Sequence, residues 1–168
     1  HEAGELEDLQ TSTSRIQPGM GVFPSDAPDE AELFTVRFEK GQPVQLNGEK
    51  VGPLEAIERC NAVGGRHGIG IGLHAVENRF VGIKSRGIYE APALELLGHS
   101  YEYLLQLVLD RRARKMYAPI SEYIAEQIYQ GYWFDTATQA CWKFIEHLND
   151  LATGPITVSL YKGRATFH

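Results

Sequence analysis

Cysteine is scarce in this 168-residue chain: only Cys60 and Cys141 are present, far apart, each in an amphipathic stretch and neither in a C-x-x-C pair. A zinc or disulfide framework therefore lacks support, and both are expected to be free thiols. No apolar run approaches the ~20 residues needed to cross a bilayer. The opening HEAGELEDLQTSTS has neither the basic nor the apolar region of a secretory signal, so a membrane partner is not expected and the location reads as cytoplasmic. Positive charge is also short: 16 Lys and Arg against 22 Asp and Glu give a net charge of −6. That balance removes the broad positive field on which nucleic-acid binding rests. Six histidines occur without an H-E-x-x-H pattern, and His67 and His74 have no second ligand at helical spacing, so no metal site is expected. Serine nucleophile chemistry lacks its G-x-S-x-G turn, and Ser85 and Ser159 have no local base. The first residue is His and not Met, which reads as a sequence beginning inside a longer parent chain. What remains, 43% hydrophobic and 23% charged residues, suits one globular domain.

Residues 1–30 carry acidic, hydroxyl, Gly and Pro residues without periodic apolar spacing and read as an extended arm or linker. Residues 31–168 form the folded domain. Leu33, Phe34, Val36 and Phe38, then turn residues, then Pro43 to Leu46 closing on Asn47-Gly48 predict a β-hairpin. Pro53 suits a helix N1 position, Leu54, Ile57, Cys60 and Val63 recur every three residues, and Gly64-Gly65 is expected to end that helix. A glycine loop to Gly72 and short strands between Ala75 and Ser85 follow. Leu94, Leu97, Tyr101, Leu104, Leu105 and Val108 predict a long helix. Tyr117, Ile120, Ile124 and Ile128, stopped by Gly131, predict a second. A third, capped by Asp135, carries Ala140, Phe144, Leu148 and Leu151. Ile156, Val158 and Leu160 alternate as a strand, Lys162-Gly163 turns, and a last strand begins at Ala165. Strands, then helices, then strands, without a β-α-β rhythm, predict an α+β fold: a mixed or antiparallel sheet packed with about three long helices.

Several segments could carry chemistry. Gly70-Ile71-Gly72-Leu73-His74-Ala75 formally fits G-x-G-x-x-A, but it follows a helix and leads into β-type sequence, the reverse of a dinucleotide site, so a loop allowing close backbone passage is the expected role. The run Arg111-Arg112-Ala113-Arg114-Lys115 reads as a solvated cluster stabilising a helix C-terminus, with anion binding as the alternative. Tyr129, Tyr132, Trp133 and Phe134 read as core or interface aromatics. The densest polar segment is Glu77 to Glu90, where carboxylates, cations, an amide, a hydroxyl and a phenol surround a short apolar centre. Such density fits either a small polar ligand or a solvated sheet face with ion pairs, Glu77 pairing with Arg79 or Arg86.

The stretch Val76 to Pro92 reads V-E-N-R-F-V-G-I-K-S-R-G-I-Y-E-A-P, and in it the chain strongly resembles argininosuccinate synthase, whose pattern is V-E-N-R-x-x-G-x-K-S-R-G-x-Y-E-x-P. The likeness extends to His1 to Asp8, Asp26 to Glu30, Phe38 to Val44, Gly65 to Gly70, Ile128 to Trp133 and Leu160 to Gly163, essentially the whole chain. It implies the C-terminal synthetase portion of a ligase that joins citrulline to aspartate, cleaving ATP to AMP and pyrophosphate through a citrullyl-adenylate. ATP, with Mg²⁺, would be a co-substrate of the full-length enzyme; its S-G-G-x-D phosphate loop has no counterpart here, so this portion alone is expected to bind no cofactor and to be inactive. The resemblance also implies that Glu77 and Tyr89 line the citrulline pocket, that no catalytic residue can be assigned, that the enzyme is a homo-oligomer of tetramer type, and that the family's C-terminal tail lies outside the sequence. Gly70 to Ala75 replaces a segment that in many members is one residue shorter and carries Arg-x-Asp. A stand-alone ligand-binding or scaffold domain without catalysis is the alternative, and an S-G-G-x-D loop upstream in the parent gene would separate the two.

Overall fold

A computed structural model describes residues 17–78 and 84–168, with the side chains of 74–78 and 84–86 outside that description. The first strand, β1 (Glu32–Glu39), alternates strictly: Phe34, Val36 and Phe38 are buried while Leu33 and Glu39 face out. Period-two burial of this kind is what an antiparallel sheet with one wet face requires. It pairs on one side with β2 (Gln42–Leu46), which pairs with the short β3 (Glu49–Lys50). On its other side lies β6 (Gly154–Tyr161), which pairs with β7 (Arg164–Phe167), giving a five-stranded antiparallel sheet of order β3-β2-β1-β6-β7. Phe34 stands opposite Val158 and Val36 opposite Ile156, so the inward side chains of the two central strands meet in rows. On the other face the Thr35 and Thr157 hydroxyls hydrogen-bond at 2.8 Å. Burying each of these large apolar side chains contributes about 1.5–3 kcal/mol.

Two helices cover the buried face. Helix α1 (Pro53–Arg66) starts on proline and buries Ala56, Cys60 and Gly64, an i, i+4 track. The expected three-residue set drifts off that track, because nine residues at 100° each turn half a circle between Leu54 and Val63; Leu54 is exposed. Nor does the glycine pair end the helix, which runs through it to Arg66. Helix α2 (Pro92–Val108) buries Leu96, Leu97, Ser100, Leu104 and Leu105, with Leu94 left exposed in its first turn. The helices touch where a side chain on Gly64 would stand 3.1 Å from the Pro92 ring, so glycine here serves packing and not termination.

Helix α3 (Arg111–Tyr129) buries only Ile124, and Ile128 is exposed. Its partner α4 (Thr136–Asn149) is capped by Asp135, which accepts from the Ala137 amide, and buries Thr138, Ile145 and Leu148, while Leu151 beyond its end is exposed. Trp133 and Trp142 meet edge to face across their junction. The basic run belongs to the start of α3, not to the end of α2: the Asp110 carboxylate accepts from the amides of Arg112 and Ala113 at 2.7 and 3.1 Å, placing the helix break before it. There the cations sit at the positive end of the helix dipole; Arg114 pairs instead with Glu102 of α2. The fold is thus α+β, with four helices among the described residues. No helix among the described residues is long and apolar enough to cross a membrane.

Candidate functional site

Outside the main sheet, β4 (Leu73–Asn78) and β5 (Lys84–Tyr89) form a separate two-stranded antiparallel ribbon. Its register pairs Leu73 with Tyr89, Ala75 with Gly87, and Glu77 with Ser85. Positions directly opposite share a face, as do alternate positions along a strand. Glu77 and Tyr89 therefore occupy one face, four rows apart, or roughly 14 Å at about 3.4 Å per residue. The rows between them hold the small residues Ala75 and Gly87. Arg86, an expected ion-pair partner of Glu77, stands opposite Val76 in the register, and the side chains of Glu77 and Arg86 lie outside those described. Arg79, the other ion-pair partner considered, lies outside the described residues, as do Phe80, Val81 and Ile83.

The base of the ribbon is anchored by backbone contacts. The Ala91 amide, just after β5, donates to the Gly70 carbonyl at 2.8 Å. Gly70 has φ +63° and a Cβ there would fall 2.6 Å from the Ala91 carbonyl oxygen. The G-x-G-x-x-A stretch thus runs from a helix end into a strand, and its glycines accommodate neighbouring chain, as the sequence context indicated. Residues 17–31 form turns and bends up to the start of β1, and their first part straps across this base. The Glu90 carboxylate accepts the Gly19 amide, shared between its two oxygens at 2.9 and 3.0 Å, and the Met20 amide at 2.6 Å. The Val22 amide donates to the Gly65 carbonyl at 3.1 Å. Sequence reasoning missed this role of Glu90; only its place beside Tyr89 hinted at importance.

At the end of α1, Glu32 gathers Arg66 and His67 on one oxygen, Oε2, at 2.6 and 2.8 Å. Burial works to raise the Glu32 pKa, but hydrogen bonds from Arg66 and His67, with the Arg66 charge, outweigh it and hold the carboxyl below its usual range. His67 is buried, its carbonyl accepts from the Gly163 amide, and its Nδ1 has no hydrogen-bond partner among the described residues. Burial pushes the Cys60 thiol up to about 11, so it is inert. Two open polar depressions share no residue with the ribbon. One is lined by Asp110, Arg111, Arg112 and Lys115, the other by residues including Lys40, Trp142 and Glu146. Among the described residues no group of three or more His, Cys, Asp or Glu could hold a metal ion.

Comparison with known proteins matches residues 1–168 to the family described as Arginosuccinate synthase C-terminal domain. The argininosuccinate synthase of Rhodopirellula baltica is 42% identical over 164 residues, covering 97% of this chain and 40% of that protein. That of Desulfitobacterium hafniense is 43% identical over 166 residues, 99% of this chain and 41% of its own length. That of Carboxydothermus hydrogenoformans is 40% identical over 168 residues, again 40% of its length. The chain spans about two fifths of the curated relatives it matches.

Proposed function

Since the chain belongs to the argininosuccinate synthase C-terminal domain family, we propose that it is the part of a cytoplasmic ATP-dependent ligase that lines the citrulline site through Glu77 and Tyr89. In that reading the full-length protein joins citrulline to aspartate, in the service of arginine biosynthesis, and cleaves ATP to AMP and pyrophosphate. The observation that carries the assignment of residues is the ribbon register, with both positions on one face and only small residues between. The chemistry of the pair suits the ligand. A carboxylate accepts from ureido N–H groups or pairs with an ammonium, and a phenol hydroxyl donates and accepts. Aspartate is the second substrate in this reading. The sequence has no S-G-G-x-D loop. Nucleotide and metal are assigned to the rest of the full-length protein, and the chain alone is inactive. Exposed apolar side chains along α3 and beyond it, Met116, Ile128, Tyr129, Tyr132 and Phe134, support a homo-oligomer of tetramer type.

The test is citrulline kinetics and melting temperature measured together on the full-length protein. Glu77→Gln keeps shape and removes the charge; a charge-assisted hydrogen bond is worth about 1.5–3 kcal/mol, so kcat/KM for citrulline should fall about 10- to 150-fold. Tyr89→Phe should cost about 0.5–1.5 kcal/mol. ATP binding should be unchanged in both. A destabilised Glu77→Gln variant with unaltered citrulline kinetics would remove Glu77 from the site.

A further inference from the structure

Gly87 is buried in the middle of β5, opposite Ala75. It is not one of the left-handed glycines of the described chain, so its backbone conformation is open to any residue, and glycine weakens a strand interior. The reason for glycine lies two residues on. A Cβ placed on Gly87 would fall 2.6 Å from Cε2, 2.9 Å from Cζ and 2.9 Å from the hydroxyl oxygen of Tyr89. Positions 87 and 89 share a face, and the Tyr89 ring lies back along the strand over the Gly87 Cα, in the volume a side chain there would fill. The hydroxyl itself is among the atoms closest to that Cβ, so the empty position sets where the polar end of the phenol comes to rest. Tyr89 nevertheless remains 38% exposed, leaving ring surface for a ligand to reach.

We propose that Gly87 is a positioning residue for Tyr89: by presenting no side chain, it seats the phenol and fixes the hydroxyl for citrulline. The proposal rests on the reading that Tyr89 contacts citrulline. The obstructing atoms belong to the far end of a rotatable side chain, not to backbone. A methyl group at position 87 therefore swings the ring away and leaves the strand pairing in place. A displacement of an ångström or more exceeds what a hydrogen bond to a bound substrate tolerates.

The experiment uses the full-length protein labelled with 3-fluorotyrosine, in four forms: wild type, Gly87→Ala, Tyr89→Phe and the double variant. The Tyr89 fluorine resonance is the one lost in Tyr89→Phe. Gly87→Ala should move that resonance and raise the KM for citrulline about 2- to 12-fold, the range of one neutral hydrogen bond. The double variant should be no worse than Tyr89→Phe carrying a displaced ring requires, its penalty falling short of the sum of the two single ones. An unmoved fluorine resonance, or penalties that add in full, overturns the proposal. If Tyr89→Phe leaves the citrulline KM unchanged, the citrulline reading fails, and the fluorine resonance alone then decides whether Gly87 seats the ring. Should Gly87→Ala fail to fold, Gly87→Ala combined with Tyr89→Ala must restore the fold, because the obstruction is gone; failure to do so also overturns the proposal.

Discussion

Replacing Gly65 by alanine sets two effects of opposite sign against each other. Gly65 sits inside α1, where alanine is favoured over glycine by about 0.8–1 kcal/mol. Local helix energetics alone therefore predict a stabilised protein. The strap reverses the expectation, because a Cβ on Gly65 would fall 2.1 Å from the Met20 carbonyl oxygen, and the reciprocal Cβ on Gly21 would fall 2.3 Å from the Gly65 carbonyl oxygen. Both obstructions are backbone, so neither can be relieved by rotating a side chain. Lifting the strap forfeits the Val22–Gly65 hydrogen bond, about 0.5–1.5 kcal/mol, and the amide bonds on Glu90, about 1.5–3 kcal/mol as a charge-assisted group. Subtracting the helix gain of about 1 kcal/mol leaves a net loss of about 1–3.5 kcal/mol. For a domain of this size each kcal/mol moves the melting temperature by about 2–4 °C. Thermal and urea unfolding of wild type and Gly65→Ala read the effect directly. Repeating the pair in a background lacking residues 1–22 should reverse the sign, alanine then stabilising by about 1 kcal/mol. A Gly65→Ala variant that melts above wild type with the strap present would refute the argument.

The Glu32 cluster gives a pH dependence. Its folded pKa lies below the ordinary value of 4.5, so its stabilisation is fully present above that pH and is lost as pH falls through the folded value. The stability gap between wild type and Glu32→Gln, on the order of 1 kcal/mol for a partly exposed group, should be flat above about pH 5 and close below pH 4.5 in urea titrations; a gap that widens on acidification would contradict the assignment. For assembly, sedimentation of the full-length protein should show an oligomer that Tyr129→Glu with Phe134→Glu weakens, whereas unchanged association in that variant would move the interface away from the end of α3.

How much of this was legible in sequence depended on how local each signal was. The hairpin was readable because alternation, Lys40-Gly41 and Asn47-Gly48 all act within a few residues, and the structure has β1, β2 and β3 at those places. Pro53 and Asp135 likewise announced helix starts. Gly64-Gly65 misled for the opposite reason. A glycine doublet is a local stop signal, but here Pro92 and Met20, distant in sequence, require it and the helix continues through. The basic run misled because cations look alike at either end of a helix, and only the Asp110 side chain, through its two amide contacts, fixes which end it is. As proposed site residues, Glu77 and Tyr89 rest on family resemblance, whereas the common face of the two positions is a property of strand register that no local pattern encodes. The Glu90 contact with Gly19 spans 71 residues and was invisible for the same reason.

The base of the ribbon, where Tyr89 stands, is anchored by several separate parts of the packed domain. At its base, Ala91 holds Gly70, Glu90 holds the strap, and the Phe23 ring lies 3.4 Å from where a Cβ on Gly72 would stand. Pro24 fills the space beside both Gly68 and Gly163, which brings the β6–β7 turn into the same junction. Tyr89 belongs to this end, paired with Leu73, so its position is inherited from α1, α2, the main sheet and the strap together. Glu77 is four rows further out along the ribbon, opposite Ser85. A two-stranded ribbon by itself is marginal in water. Substitutions at the glycine junction therefore act on Tyr89 through the packed domain.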